Sequence, residues 1–264
     1  MRRSIYILVA LCLALSALAQ APQPPGLTWV RYYEAQPGKE MEFARLLSES
    51  SKSVFDKLIA DKKVAAWGIV VPVTHIEGET YTHAAYVTVP DWAALEAMIS
   101  AFEANDATMP PAEMKKLDDA FMAALKPGSI RDVILRHLSQ APLATAPPTT
   151  RPKYIGVDTY VIKQGRGMDA VSLFNEWGKP LFTDVAAKGK FGPWGLSMQE
   201  IQTRGDWTHM IWYFMNDLSA VDQLNAGTMA LDPMKLKGYD VRLRDMSEPE
   251  KHRTSILRIV YQAP

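Results

Sequence analysis

Imidazole is the side chain whose ordinary pKa lies nearest neutrality, so histidines are the first place to look for proton transfer or metal binding. The chain has five: His75, His83, His137, His209 and His252. Two stand in the same local context, Thr82-His83 and Thr208-His209. That pairing makes His83 and His209 the candidate catalytic residues, each as a base or a ligand contact. The competing reading is a strand histidine that bonds a neighbour and packs. His75, Glu77 and His83 have ligand chemistry, but no His-x-His, HExxH or clustered-acid pattern accompanies them. No metal is expected.

The aromatic set is larger. Tyr33, Trp67 and Tyr86, with Tyr160, Trp194 and Trp212 facing them, would make a wall for a flat apolar ligand. The same rings would equally fill a core between a sheet and its helices. There is no Gly-x-Ser-x-Gly elbow, phosphate-cradling loop or dinucleotide fingerprint. What remains is an expected partner of small, apolar or aromatic kind.

Composition narrows the setting. The 264 residues carry 29 cations and 29 anions, and 48% are hydrophobic. A balanced charge argues against nucleic acid, whose binding needs clustered cations. Arg2 and Arg3, the apolar run from Ile5 to Leu15 and the Ala17-Leu18-Ala19 end read as a secretory signal over residues 1–19. The expectation is a periplasmic or secreted protein, with no membrane association after cleavage. Removing that segment leaves a slightly acidic chain without its one cysteine, Cys12, and so without disulfides or thiol chemistry.

The elements that must position these side chains occur twice. Shifted by 127, residues 33–68 fall on 160–195 with eleven of 36 positions identical, Trp67-Gly68 on Trp194-Gly195 among them. Offsets of 126 and then 122 carry Asp91 onto Asp217 and Ile134-Leu135-Arg136 onto Ile256-Leu257-Arg258. The domains are therefore 20–138 and 154–264, joined by a Pro-rich linker over 139–153. Each reads as a strand (Leu27–Glu34, Tyr154–Lys163), a Gly turn, a helix, and a second strand opened by Trp-Gly. A turn at Gly78-Glu79 or Gly205-Asp206 leads to a third strand, followed by an Asp-capped helix and a closing strand. Gly178 and Pro180 predict a kink or a two-piece helix in the second copy. Ala112–Leu125 predicts an extra helix in the first.

The order β-α-β-β-α-β is α+β and ferredoxin-like, with helices on one sheet face. The other face, bearing Met210, Trp212 and Phe214, needs a cover, and the second copy's sheet supplies one. The Tyr33-to-Phe43 segment and the repeated Trp-Gly resemble the dimeric α+β barrel superfamily, including NIPSNAP-like and antibiotic-monooxygenase-like domains. The resemblance implies a pseudo-dimeric barrel, with a homo-oligomer also open. It implies a site between sheet and helices or inside the barrel. It leaves three functions open: a small-ligand-binding protein, a cofactor-independent monooxygenase or isomerase with His83 or His209 as base, or an assembly protein. Chlorite-dismutase-like proteins are similar in having two such halves, and they hold heme through a helix histidine of the second half. Met168–Lys188 contains no histidine, so heme is the disfavoured alternative and no cofactor is expected.

Overall fold

The computed structural model describes residues 26–75, 78–141, 151–202 and 206–263. The expected signal segment, most of the linker, Glu77 and Gly205 lie outside the described residues. The first half runs β1 (Leu27–Tyr33), α1 (Glu40–Ala60), β2 (Ala66–Pro72), β3 (His83–Val89), α2 (Trp92–Thr108), α3 (Pro111–Ala124) and β4 (Arg131–Gln140). The second runs β5 (Tyr154–Tyr160), α4 (Gly167–Leu173), α5 (Lys179–Ala187), β6 (Phe191–Gln202), β7 (His209–Met215), α6 (Ser219–Met229), α7 (Pro233–Met246) and β8 (Arg253–Ala263).

Local chemistry accounts for the boundaries. The turns before α1 and α4 hold Gly38 and Gly165 at φ of 78° and 81°, where a Cβ would be strained. Asp91 caps α2 by accepting from the Ala94 amide at 2.8 Å. Asp217 accepts from the Ser219 amide, at the start of α6. The predicted break at Gly178 and Pro180 is a π turn over Phe174–Gly178 that joins α4 to α5. Proline has no N–H to give the preceding turn, and the wider turn absorbs that loss. Helix α7 is not foreseen by apolar periodicity, because Met246 is its one buried residue. Pro233 at its start and Asp232, accepting from the Met234 amide, are its signals.

The eight strands close into a barrel in the order β1-β3-β2-β8-β5-β7-β6-β4, every pair antiparallel. The halves therefore join edge to edge at two seams, β2–β8 and β4–β6. Strands alternate in direction around the ring, so β1 and β5 run the same way. The pseudo-twofold axis thus lies along the barrel. Closure removes every exposed sheet edge.

Side chains alternate between the barrel interior and the helix-covered outside. Trp67 faces out, stacked on Phe55 at 4.5 Å and 1% exposed. Burial of such a ring contributes about 2–3 kcal/mol. Gly68 faces in, directly across from Tyr86, whose hydroxyl lies 2.7 Å from where a Cβ would stand. Gly195 makes the same room for Trp212. The repeated Trp-Gly thus supplies one large ring to each helix core and one gap to the barrel.

Candidate functional site

His83 and His209 sit opposite Tyr33 and Tyr160 on the outer face, at the same end of the barrel. Each imidazole Nδ1 lies 2.9 Å from the preceding threonine hydroxyl. Each threonine also accepts a backbone N–H at 2.8 Å, from Ala35 or Ile162, just past the first strand of its half. Thr-His is therefore a brace that pins the start of one strand to the end of its neighbour. Burial lowers the pKa of both rings, to about 4 for His209. The second nitrogens differ. His83 has a hydrogen bond to the Glu40 main chain and the nearby Glu40 carboxylate, which partly offset burial. Gly167 takes the Glu40 position in the second half, and His209 Nε2 has no partner. Thr82→Val and Thr208→Val each orphan a backbone donor, so each should cost about 1–3 kcal/mol in urea melts. The two costs should add, since the sites share no partner.

Inside the barrel a hydrogen-bonded belt crosses five consecutive strands, β3-β1-β4-β6-β7. Thr88 meets Thr28 at 2.9 Å, and Thr28 meets His137 Nε2 at 2.8 Å. His137 Nδ1 meets the Ser197 hydroxyl at 3.1 Å, and Trp212 Nε1 donates to that hydroxyl at 2.9 Å. The Ser197 and Thr28 hydroxyls can each donate to or accept from the ring, so the belt satisfies His137 in either neutral tautomer. Ser197 is 0% and His137 4% exposed, and burial lowers the His137 pKa to about 4. The pseudo-twofold mates of Thr28, Thr88, His137 and Ser197 are Ile155, Phe214, Ile259 and Val70. One seam is thus tied by polar groups and the other by apolar ones.

The outer faces of the halves also differ. In the first half Arg31 lies 4.7 Å above the Trp29 ring and forks onto Asp132 at 2.7 and 3.0 Å. The Trp29 indole donates to the same carboxylate at 2.7 Å. The equivalent positions in the second half are Gly156, Asp158 and Thr254. Tyr213, the mate of Val87, folds its ring over Gly156. Asp158 Oδ1 accepts from Thr254 at 2.5 Å and lies 3.5 Å from His252 Nε2. His252 in turn stacks on Tyr160 at 4.5 Å. Burial first, then the Asp158 charge, holds the Tyr160, Tyr213 and Tyr239 phenols protonated, that of Tyr239 at about 12. Asp158 is 17% exposed, and its second oxygen accepts no hydrogen bond among the described residues.

No family model matches the chain, and no curated protein does. Solved structures do. A "putative monooxygenase" from Fusobacterium nucleatum superposes with a TM-score of 0.59 at 10% identity, over 90% of this chain and 94% of that one. One of the same description from Lactobacillus acidophilus gives 0.56 at 9% identity, over 90% and 94%. The fold is the dimeric α+β barrel, written in one chain. An anthrone oxidase-like protein has the same barrel, with a TM-score of 0.51 at 11% identity over 92% of this chain and 94% of that one.

The barrel separates the six aromatic candidates, which do not form one wall. Tyr33, Trp67, Tyr160 and Trp194 face the helices, whereas Tyr86 and Trp212 point inward. Alternation along each strand is the reason: Trp67 and Tyr86 lie on neighbouring strands one residue out of phase. A heme does not fit between the second half's sheet and α4 and α5. Phe174, Phe182, Trp194 and Tyr213 fill the space under α4 and α5, with ring centroids 5.3–6.2 Å apart along that cluster. Among the described residues, no three His, Cys, Asp or Glu side chains are grouped to hold a metal.

Proposed function

We propose that this barrel binds a small aromatic molecule on the outer face of its second half and acts on it in the manner of a monooxygenase. The asymmetry between the halves carries the reading. The first half fills its outer face with Trp29, Arg31 and Asp132, which satisfy one another. The second has Asp158 meeting Thr254 and His252 through one oxygen, near the protonated phenols of Tyr160, Tyr213 and Tyr239, with no hydrogen bond to its other oxygen among the described residues. The names of the structural neighbours support an oxidative role, with Asp158 as the group placed to accept a proton from the substrate.

Ligand-observed saturation-transfer NMR with 2-naphthol tests the location. Binding should be lost in Tyr239→Ala and kept in Tyr86→Phe, which removes a hydroxyl inside the barrel. The reverse pattern would move the site into the barrel and reject this one. Oxygen-electrode assays with anthrone test the chemistry. Conversion of its methylene to a carbonyl consumes one O2 and releases one water. Uptake no faster than without protein would reject the oxidative role.

A further inference from the structure

We propose that His209 is a proton-operated latch on the first helix of the second half: protonation of its ring releases α4 and the turn before it, whereas the matching contact at His83 withstands acid. The difference lies in what faces each ring from the helix above it. In the first half that helix is α1, which supplies Glu40 and Phe43. The Glu40 main chain bonds His83, and the Glu40 carboxylate favours the imidazolium. Phe43 packs edge-on against the ring at 5.2 Å. In the second half Gly167 and Ala170 take those two positions. His209 is 7% exposed, and its Nε2 has no hydrogen-bond partner. An imidazolium there would hold an N–H without an acceptor and a buried charge without a counter-ion.

The surrounding elements supply neither. On β5 the Tyr160 phenol, held protonated by burial, lies opposite His209. Asp158, two residues earlier on that face, meets Thr254 and His252. On β6 Met198 lies opposite, and the next acid, Glu200, is forked by Arg136. Arg166 and Asp169 of the α4 end pair with each other, and Arg166 also reaches Asp245 of α7. Lys163 in the preceding turn donates to the Asp245 carbonyl. Tyr239 of α7 stays protonated. Burial alone therefore sets the His209 pKa, at about 4 against an ordinary 6.5.

Helix α4 is the element that yields. It has seven residues and buries only Ala170 and Leu173. Helix α1 has 21 and buries Phe43, Leu47, Val54, Phe55 and Leu58 among others. So short a helix is marginal without its packing. Opening can stop at Phe174, whose ring lies against those of Phe182 and Trp194. Residues 163–173 thus form a local opening unit. Its release bares Ile162 and Met246, which pack with Ala170 and Leu173.

Hydrogen exchange of the intact protein, read by mass spectrometry at pH 7.5 and 5.0 and corrected for the intrinsic effect of pH, tests the latch. The open form takes up the proton near the ordinary pKa and the closed form does not, so opening grows as pH falls and levels off below the folded value. Opening of residues 163–173 should rise about 30-fold between the two pH values. Residues 36–46, their counterpart, should rise far less. Gly167→Glu restores the partner that Glu40 gives His83. Beyond its own helix, a Cβ there meets only the His209 ring, at 3.6 and 3.8 Å, so the larger side chain is accommodated. That variant should cut the rise several-fold, and His209→Gln should abolish it. An equal rise throughout the chain would overturn the latch. So would a rise in 163–173 that both variants leave unchanged.

Discussion

Between pH 6.5 and pH 4 the protein should lose several kcal/mol of stability, most of it through His137 and His209. Both rings have folded-state pKa values near 4, lowered by burial, against an unfolded value near 6.5. Within that window the unfolded chain binds their protons and the folded chain does not. Stability therefore rises with pH across the window, is complete above the unfolded value, and is lost as pH falls toward the folded one. A shift of that size corresponds to about 3 kcal/mol per histidine. His83 adds in the same direction. The lowered carboxylates Glu34, Glu176, Glu200 and Asp217 are protonated in the folded state only below the usual carboxylate range, so they steepen the loss at the acid end. Glu79, raised by burial, opposes them slightly.

His137 has a further reason to resist protonation. In the imidazolium both ring nitrogens donate, so Ser197, which already accepts from Trp212, would also have to accept from Nδ1 and could not donate to it. Inside the barrel, acid should accordingly act first at the β4–β6 seam. Urea melts at pH 7.5, 6.0 and 5.0 should give a wild-type stability that falls steadily. His137→Phe should start lower but show a shallower fall, and His209→Phe likewise. Equal pH slopes for all three proteins would disprove the assignment.

How far the chain could be read from its sequence follows from what repeats. The duplication sets the two β-α-β-β cores, and the paired Thr-His and Trp-Gly stand out because both copies need them. Those residues turn out to be braces and packing elements, the roles that duplication preserves. The barrel closure is less legible, since the seams pair β2 with β8 and β4 with β6 across 55 residues or more. The belt is invisible to repeat-matching, because His137, Thr28, Thr88 and Ser197 face apolar mates and lie on four strands. The asymmetry of the outer faces is missed for the same reason: Trp29 against Gly156 and Arg31 against Asp158 look like noise in an alignment of the halves. The departures from the repeat were the usable signal. Two copies folded alike agree where both need the same brace or ring, and they differ where one half packs by its own means.

Gly156→Ala should be the most damaging single-methyl change in the strands of the second half. A Cβ at Gly156 would stand 2.1 Å from Tyr213 Cε2 and 2.2 Å from Cζ, well inside contact distance. Tyr213 cannot simply swing away, because its ring is held by Phe182 at 5.3 Å and Phe191 at 5.5 Å. Overpacking of a buried site costs about 1–3 kcal/mol, and this clash belongs at or beyond the upper end. Gly38→Ala is the contrast. Nothing lies within 4 Å of its Cβ position, so only the positive φ is strained, at about 1 kcal/mol. Gly195→Ala, at 2.7 Å from Trp212, should fall between them. The first half supplies the control, since its strands place the bulk on Trp29 and a small Val87 across from it. Tyr213→Val alone opens a cavity. Combined with Gly156→Ala, it removes the ring that the new methyl strikes. The double variant should thus be more stable than the two single losses predict, by about 1–2 kcal/mol in a double-mutant cycle. Strict additivity would mean that Gly156 is required by its backbone and not by the ring above it.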